Sequence, residues 1–217
     1  MSVDWLPADL AILPVIAKAL SGTIRYYNDH AEDFVSNTVS SDMSENYAEF
    51  LKLIPAHGRI LDFGCGSGRD TKFFLDSGYE TEAIDGSEEL CRIASEYTGI
   101  RVSHMLFSEL NEKDKYDGIW ACASILHLTA DELKGVLDKM LVALKSDGVI
   151  YTSFKYGTGE RIRDGRIFSD FTEESFAEFA LSVPNLYVIK TWTTQDVRPG
   201  RENEKWLNLI IKRSDMT

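Results

Sequence analysis

Three glycines at alternate positions, Gly64, Gly66 and Gly68, follow a short apolar run and a carboxylate in the segment Ile60-Leu61-Asp62-Phe63-Gly64-Cys65-Gly66-Ser67-Gly68. Such glycines let a backbone turn tightly and approach a ligand that a Cβ would hold off. A helical pattern runs from Asp70 to Leu75, so the amides of its first turn face the same ligand. Asp62 narrows the chemistry: an anion just before the loop disfavours a phosphate and favours a cationic sulfonium with an ammonium. Asp85 closes the next strand pattern about 20 residues past Gly64, where an acid accepts hydrogen bonds from ribose hydroxyls in nucleotide-binding α/β folds. The dinucleotide fingerprint needs G-x-G-x-x-G, and its last position here is Arg69. The loop therefore suits a nucleoside without a pyrophosphate and argues against a nicotinamide oxidoreductase.

The Asp62-x-Gly64-x-Gly66-x-Gly68 motif with Asp85 resembles that of the class I S-adenosylmethionine-dependent methyltransferases, among the small soluble ones that include the tellurite-resistance type. The resemblance runs from about Tyr26 to Lys212. It implies a Rossmann-like α/β fold: a doubly wound, seven-stranded, mostly parallel sheet of order 3-2-1-4-5-7-6 with an antiparallel terminal hairpin. It also implies S-adenosyl-L-methionine as cofactor and methyl transfer by in-line displacement, where positioning contributes on the order of 7–11 kcal/mol. In that chemistry the cofactor supplies the reactive carbon, so a strong cofactor site and a weak catalytic signature are expected.

The resemblance assigns residues as follows. Asp62 contacts the amino group of the cofactor, directly or through water. Gly64 and Gly66 admit its backbone approach, with Cys65 a small packing residue between them. Arg69 pairs with the methionine carboxylate or faces outward. Asp85 binds the ribose, with Gly86 and Ser87 beside it. After the third strand Leu106 stands where many relatives carry an adenine-binding aspartate; the amides of Leu106 and Phe107, or Glu109, would then hold the adenine edge. Ala121, Cys122 and Ala123 are small enough to leave room near the sulfonium. His127 is the one histidine placed for general-base catalysis, although a structural histidine fits the same strand-to-helix turn. Tyr26 and Tyr27 sit in a helix or lid that closes over the cofactor or simply packs.

The elements that position these residues are legible in the pattern. Apolar runs at Arg59 to Phe63, Glu80 to Ile84, Arg101 to Met105, Gly118 to Cys122 and Gly148 to Phe154 alternate with helical stretches, as in a parallel sheet with crossover helices. Ser87 with Gly99, Thr129 with Glu132, and Thr172 mark helix ends. Leu186 to Thr193 and Trp206 to Lys212 have no helix between them and should pair antiparallel. Tyr156 to Phe171 reads as a long polar insertion at the active-site mouth, where Arg161, Arg163 and Arg166 would meet an anionic substrate. Arg198, Arg201 and Trp206 are weaker candidates for the same wall.

Composition limits the partners. The chain has 217 residues, with 23 basic against 35 acidic side chains and a net charge of −12. That field repels nucleic acid and favours a small-molecule or protein substrate, of which a small-molecule acceptor is the expectation. Cys65, Cys91 and Cys122 have no metal-ligand spacing and their number is odd, which points to free thiols in a cytoplasmic setting and no metal. Residues 1–25 read as an N-terminal helical extension and 26–217 as the methyltransferase domain. The apolar stretch from Leu6 to Leu20, broken by Pro7 and Pro14, is too short to span a membrane; it packs on the domain or on a second copy, in a homodimer. The alternative function is a cofactor-binding regulatory or partner module without catalysis of its own.

Overall fold

The computed structural model describes residues 22–198 and 200–214. The expected N-terminal extension lies outside the described residues as far as residue 21. Residues 22–29 are helical (α1), followed by α2 (Ala31–Thr38) and α3 (Ser44–Leu51). The chain then alternates: β1 (Arg59–Phe63), α4 (Arg69–Asp76), β2 (Glu80–Asp85), α5 (Glu88–Thr98), β3 (Ser103–His104), β4 (Tyr116–Ala121), α6 (Ala130–Ala143) and β5 (Leu144–Lys155). After β6 (Gly159–Arg163), β7 (Arg166–Asp170) and α7 (Glu173–Ala180), it ends in β8 (Leu186–Gln195) and β9 (Lys205–Arg213).

The main sheet has seven strands in the order β3-β2-β1-β4-β5-β9-β8. β1 to β5 pair in parallel, and β9 runs antiparallel to both β5 and β8. This is the expected topology, because the two strands that shift the numbering form a separate sheet. The chain order reverses between β1 and β4, and loops leaving such a switch point form a crevice beyond the strand ends. Gly64 and Ala123 lie on those loops, and Asp85 is the last residue of the neighbouring β2.

Alternate residues of one strand go to opposite faces. Leu61, Phe63, Ile119 and Phe154 join Leu133, Leu137 and Met140 of α6 and Phe176 of α7 in one core. Ile60, Trp120 and Tyr151 join Tyr47 and Phe50 of α3 and Phe74 of α4 in the other. Trp120 and Tyr151 stack at 3.9 Å and 15°, a geometry worth about 0.5–1.5 kcal/mol beyond area burial.

The helix ends follow the chemistry read from the sequence. Ser87 Oγ accepts from Leu90 N at 3.2 Å and Gly99 ends α5 at φ +79; Thr129 and Glu132 form a reciprocal capping box on α6. Two strand expectations change. β3 is only two residues long, because it is an edge strand held by β2 alone. The stretch from Tyr156 to Phe171 is largely a β-hairpin rather than a loop: Asp164 (φ +51) and Gly165 (φ +74) make a two-residue turn between the paired Arg163 and Arg166. Asp-Gly is the preferred sequence for such a turn, since both positions need positive φ.

Candidate functional site

The glycine loop turns through three left-handed residues, Gly64 (φ +85), Gly66 (φ +54) and Gly68 (φ +78). Gly64 N and Cys65 N both donate to Ile84 O, at 3.0 and 2.9 Å, which docks the loop on the end of β2. Asp85 completes the arrangement: Gly66 N donates to its Oδ2 at 2.9 Å and Ser87 N to its Oδ1 at 2.8 Å. Burial pushes the Asp85 carboxyl up, and these backbone donors oppose the shift. A Cβ on Gly66 would stand 2.9 Å from the ring of Phe34, and one on Gly64 3.0 Å from that of Phe107. The loop surface therefore also carries two aromatic rings, one of them from α2, and residues 62, 63 and 65–67 are buried. Phe34 gave no local signal in the sequence.

Asp62 is 1% exposed and accepts from Thr71 Oγ1 at 2.5 Å. Burial, then the nearby Asp70 charge, push its carboxyl well above the usual range. Asp62 Oδ2 is thus met by a threonine on the first turn of α4. Arg69 neither faces outward nor stands free for a cofactor carboxylate. Its guanidinium grips Asp70, Nε to Oδ1 at 2.6 Å and Nη2 to Oδ2 at 2.9 Å, and also reaches Thr38 O at 3.3 Å. Asp70 further accepts from Tyr47 OH and, at 2.8 Å, from Trp120 Nε1. Burial pushes the Asp70 carboxyl up, but Arg69 and these donors outweigh it and hold the group below its ordinary value.

The adenine-edge expectation also changes. Leu106 N donates to Glu109 Oε2 at 2.7 Å, closing the single 3₁₀ turn Phe107–Glu109. Glu109 therefore consumes the amide rather than adding to it, while Phe107 packs on Phe63 at 4.7 Å. Ala123 adopts φ +50, with its N–H donating to Ser153 Oγ at 2.9 Å. Next to it, Ser124 Oγ donates to Phe63 O at 2.6 Å and ties the β4 exit to the glycine loop. Cys65 and Cys122 are thiols: burial raises both, Cys122 to about 12.

His127 is buried, and both ring nitrogens are engaged. Nδ1 lies 2.7 Å from Ile167 O, which can only accept, so Nδ1 carries the proton. Nε2 then accepts from Tyr27 OH at 2.8 Å. Burial lowers the pKa to about 4, against the Ile167 bond and aided by Arg166 and Arg161. A base this weak, with no free lone pair, does not match the general base expected from sequence. Tyr26 stacks on His30 at 4.4 Å and lies 3.7 Å from the Arg166 guanidinium. The other arginines of the expected anion wall are mostly spent: Arg161 pairs with Asp170, and Arg198 with Asp196, which also accepts from Trp206 Nε1 at 3.0 Å.

The His127 geometry has a pH signature. The unfolded chain takes up this proton near pH 6.5 and the folded chain only near pH 4. The contribution to stability is complete above pH 6.5 and disappears as pH falls to about 4, a loss of about 3 kcal/mol. Urea unfolding of His127→Gln beside the parent at pH 7 and pH 4.5 should show a smaller drop for the variant; equal drops would contradict the buried neutral imidazole.

A cavity of about 300 Å³ adjoins this region, lined by Thr23 and Ile24 of α1, by Gly86, Leu106, Phe107 and His127, and by one side of α6. Among the described residues no cluster of His, Cys, Asp or Glu is arranged for a metal, and no helix is long and apolar enough to cross a membrane.

Comparison with known proteins agrees with this geometry. A family described as a methyltransferase domain matches residues 60–148. A methyltransferase of Staphylococcus carnosus, itself uncharacterized, is 27% identical over 181 residues, spanning 79% of this chain and 87% of the relative. The crystal structure of Burkholderia thailandensis 1,6-didemethyltoxoflavin-N1-methyltransferase, with 1,6-didemethyltoxoflavin and S-adenosylhomocysteine bound, has a TM-score of 0.74 at 21% identity, covering 98% of this chain and 94% of its own. A TehB-like methyltransferase of Corynebacterium glutamicum gives 0.63 at 19% identity, covering 89% and 100%. Loop motif, matched domain and sheet topology coincide on the same residues: residues 60–148 match a methyltransferase domain, and the sheet has the fold of the S-adenosylmethionine-dependent methyltransferase structures.

Proposed function

We propose that the protein methylates a small-molecule acceptor. The observation that carries this reading is the loop of three left-handed glycines closed by the Asp85 carboxylate. The net charge of −12 supports a small acceptor over nucleic acid. So does the roof over the loop, where Phe34 of α2 stands on Gly66 and the start of α1 meets the hairpin turn at Gly165. The Burkholderia neighbour has a small heterocycle bound.

In this reading Gly64 and Gly66 admit the cofactor backbone contacts, Asp85 accepts from the ribose hydroxyls with Gly86 and Ser87 beside it, and Asp62 stands behind the amino-acid end. The cofactor supplies an electrophilic methyl group. The chain supplies alignment and exclusion of water. His127 holds Tyr27 in place by accepting a hydrogen bond from its hydroxyl, so its contribution is positioning. Ala123 leaves the space that a larger side chain would fill.

The test is calorimetry. The parent should bind S-adenosylhomocysteine, and Asp85→Asn, which keeps the shape but loses the charge, should bind about 10- to 100-fold more weakly. Affinity unchanged in the variant would remove Asp85 from the site.

A further inference from the structure

Among the described residues, Thr23 is the one in the wall of the 300 Å³ cavity whose polar atom is both deeply buried and unpartnered. It is 8% exposed, and its Oγ1 finds no hydrogen-bond partner among them. A buried hydroxyl without a partner costs free energy in the free protein, so each such group calls for an explanation. The other polar side chains around the cavity are engaged or exposed. Glu132 caps α6 with Thr129, Lys139 Nζ donates to Leu110 O at 3.1 Å, and both His127 nitrogens are occupied. Asp131 is 90% exposed beside Lys134, and Ser108 is exposed.

Thr23 lines the cavity, and the cavity's position indicates which part of a ligand would lie against that side chain. Gly86 directly follows Asp85, so the cavity begins one residue beyond the ribose carboxylate. Ile24 and Leu106 each come within 3.6 Å of the point where a Gly86 Cβ would stand, giving the space apolar walls. A flat base attached to a ribose at Asp85 would enter here. Its polar edge finds no side-chain donor on Leu106, whose amide is held by Glu109.

Resting on the cofactor reading above, we propose that the Thr23 hydroxyl recognises the adenine edge of S-adenosylmethionine, so that base selection comes from the N-terminal helix α1. A hydroxyl both donates and accepts, which allows it to take a hydrogen bond from the exocyclic amino group or give one to a ring nitrogen.

The test uses full-length protein with Thr23→Val and Thr23→Ser. Calorimetry follows S-adenosylhomocysteine and its inosine counterpart, in which the amino group is replaced by a carbonyl oxygen. Thr23→Val should keep or raise the melting temperature of the free protein, because it removes an unpaired hydroxyl, yet weaken S-adenosylhomocysteine binding about three- to tenfold. It should also narrow the parent's preference for adenosine over inosine, and Thr23→Ser should retain that preference. Unchanged affinity in Thr23→Val overturns the proposal. So does equal weakening for both ligands with a lower melting temperature, which marks a packing role. A parent that binds neither ligand defeats the cofactor reading itself, a result distinct from a silent variant of a binding parent.

Discussion

Gly64→Ala should lose about 2–5 kcal/mol of stability and at least tenfold in S-adenosylhomocysteine affinity. Two costs add. An alanine held at φ +85 is strained, by roughly 1–2 kcal/mol. Its Cβ would also stand 2.5 Å from Ser124 Cβ and 3.0 Å from Phe107 Cζ. Phe107 is a ring end and can move, but Ser124 Cβ is one bond from the backbone and is pinned by the Ser124–Phe63 hydrogen bond. Relieving the contact means separating the β4 exit from the end of β1, and overpacking of this kind costs about 1–3 kcal/mol. Gly99→Ala supplies the control. It has nearly the same backbone, at φ +79, but nothing lies within 4 Å of its added Cβ, so only the conformational cost of roughly 1–2 kcal/mol applies. Urea unfolding of both variants isolates the close approach. Equal losses would show that the glycine loop is selected for its dihedral angles alone.

The same comparison explains which features could be read from sequence. The motif from Ile60 to Gly68, the helix caps at Ser87 and Thr129, and Asp85 at the end of β2 are local patterns, and local patterns survive in a single sequence. The hairpin turn Asp164-Gly165 was legible too, but its strands carry no alternation to mark them: β7 is buried continuously from Ile167 to Asp170, while β6 is largely exposed, Ile162 included. What escaped is long-range. Whether His127 is a base depends on Tyr27 and Ile167, far away in the chain, and neither leaves a trace near residue 127. Arg69 is a plausible cofactor ligand until folding sets Tyr47 and Trp120 around its neighbour and fixes the guanidinium on Asp70. Phe34 reaches Gly66 only because α2 folds back over the loop that follows β1. Thr23 shows a deficit, a hydroxyl without a partner, which no sequence pattern records.

Asp70→Ala should be the most damaging single change on α4, at about 3–5 kcal/mol. Arg69 stays charged in any accessible environment, and its side chain is 18% exposed. Removing the carboxylate leaves that charge buried and uncompensated, which is where the large cost of breaking a buried pair arises. Tyr47 and Trp120, both buried, lose their acceptor at the same time. Asp62, nearby on β1, provides the contrast. Burial and the Asp70 charge already drive its carboxyl toward the neutral form, and an amide oxygen can still accept from Thr71. Asp62→Asn should therefore cost under about 1 kcal/mol of stability. Urea denaturation followed by tryptophan fluorescence reports the change directly, because Trp120 sits in the affected cluster. If the two variants unfold at similar urea concentrations, the Arg69–Asp70 pair is not the support of the loop-to-helix junction, and the ordering of these two carboxylates by charge state fails with it.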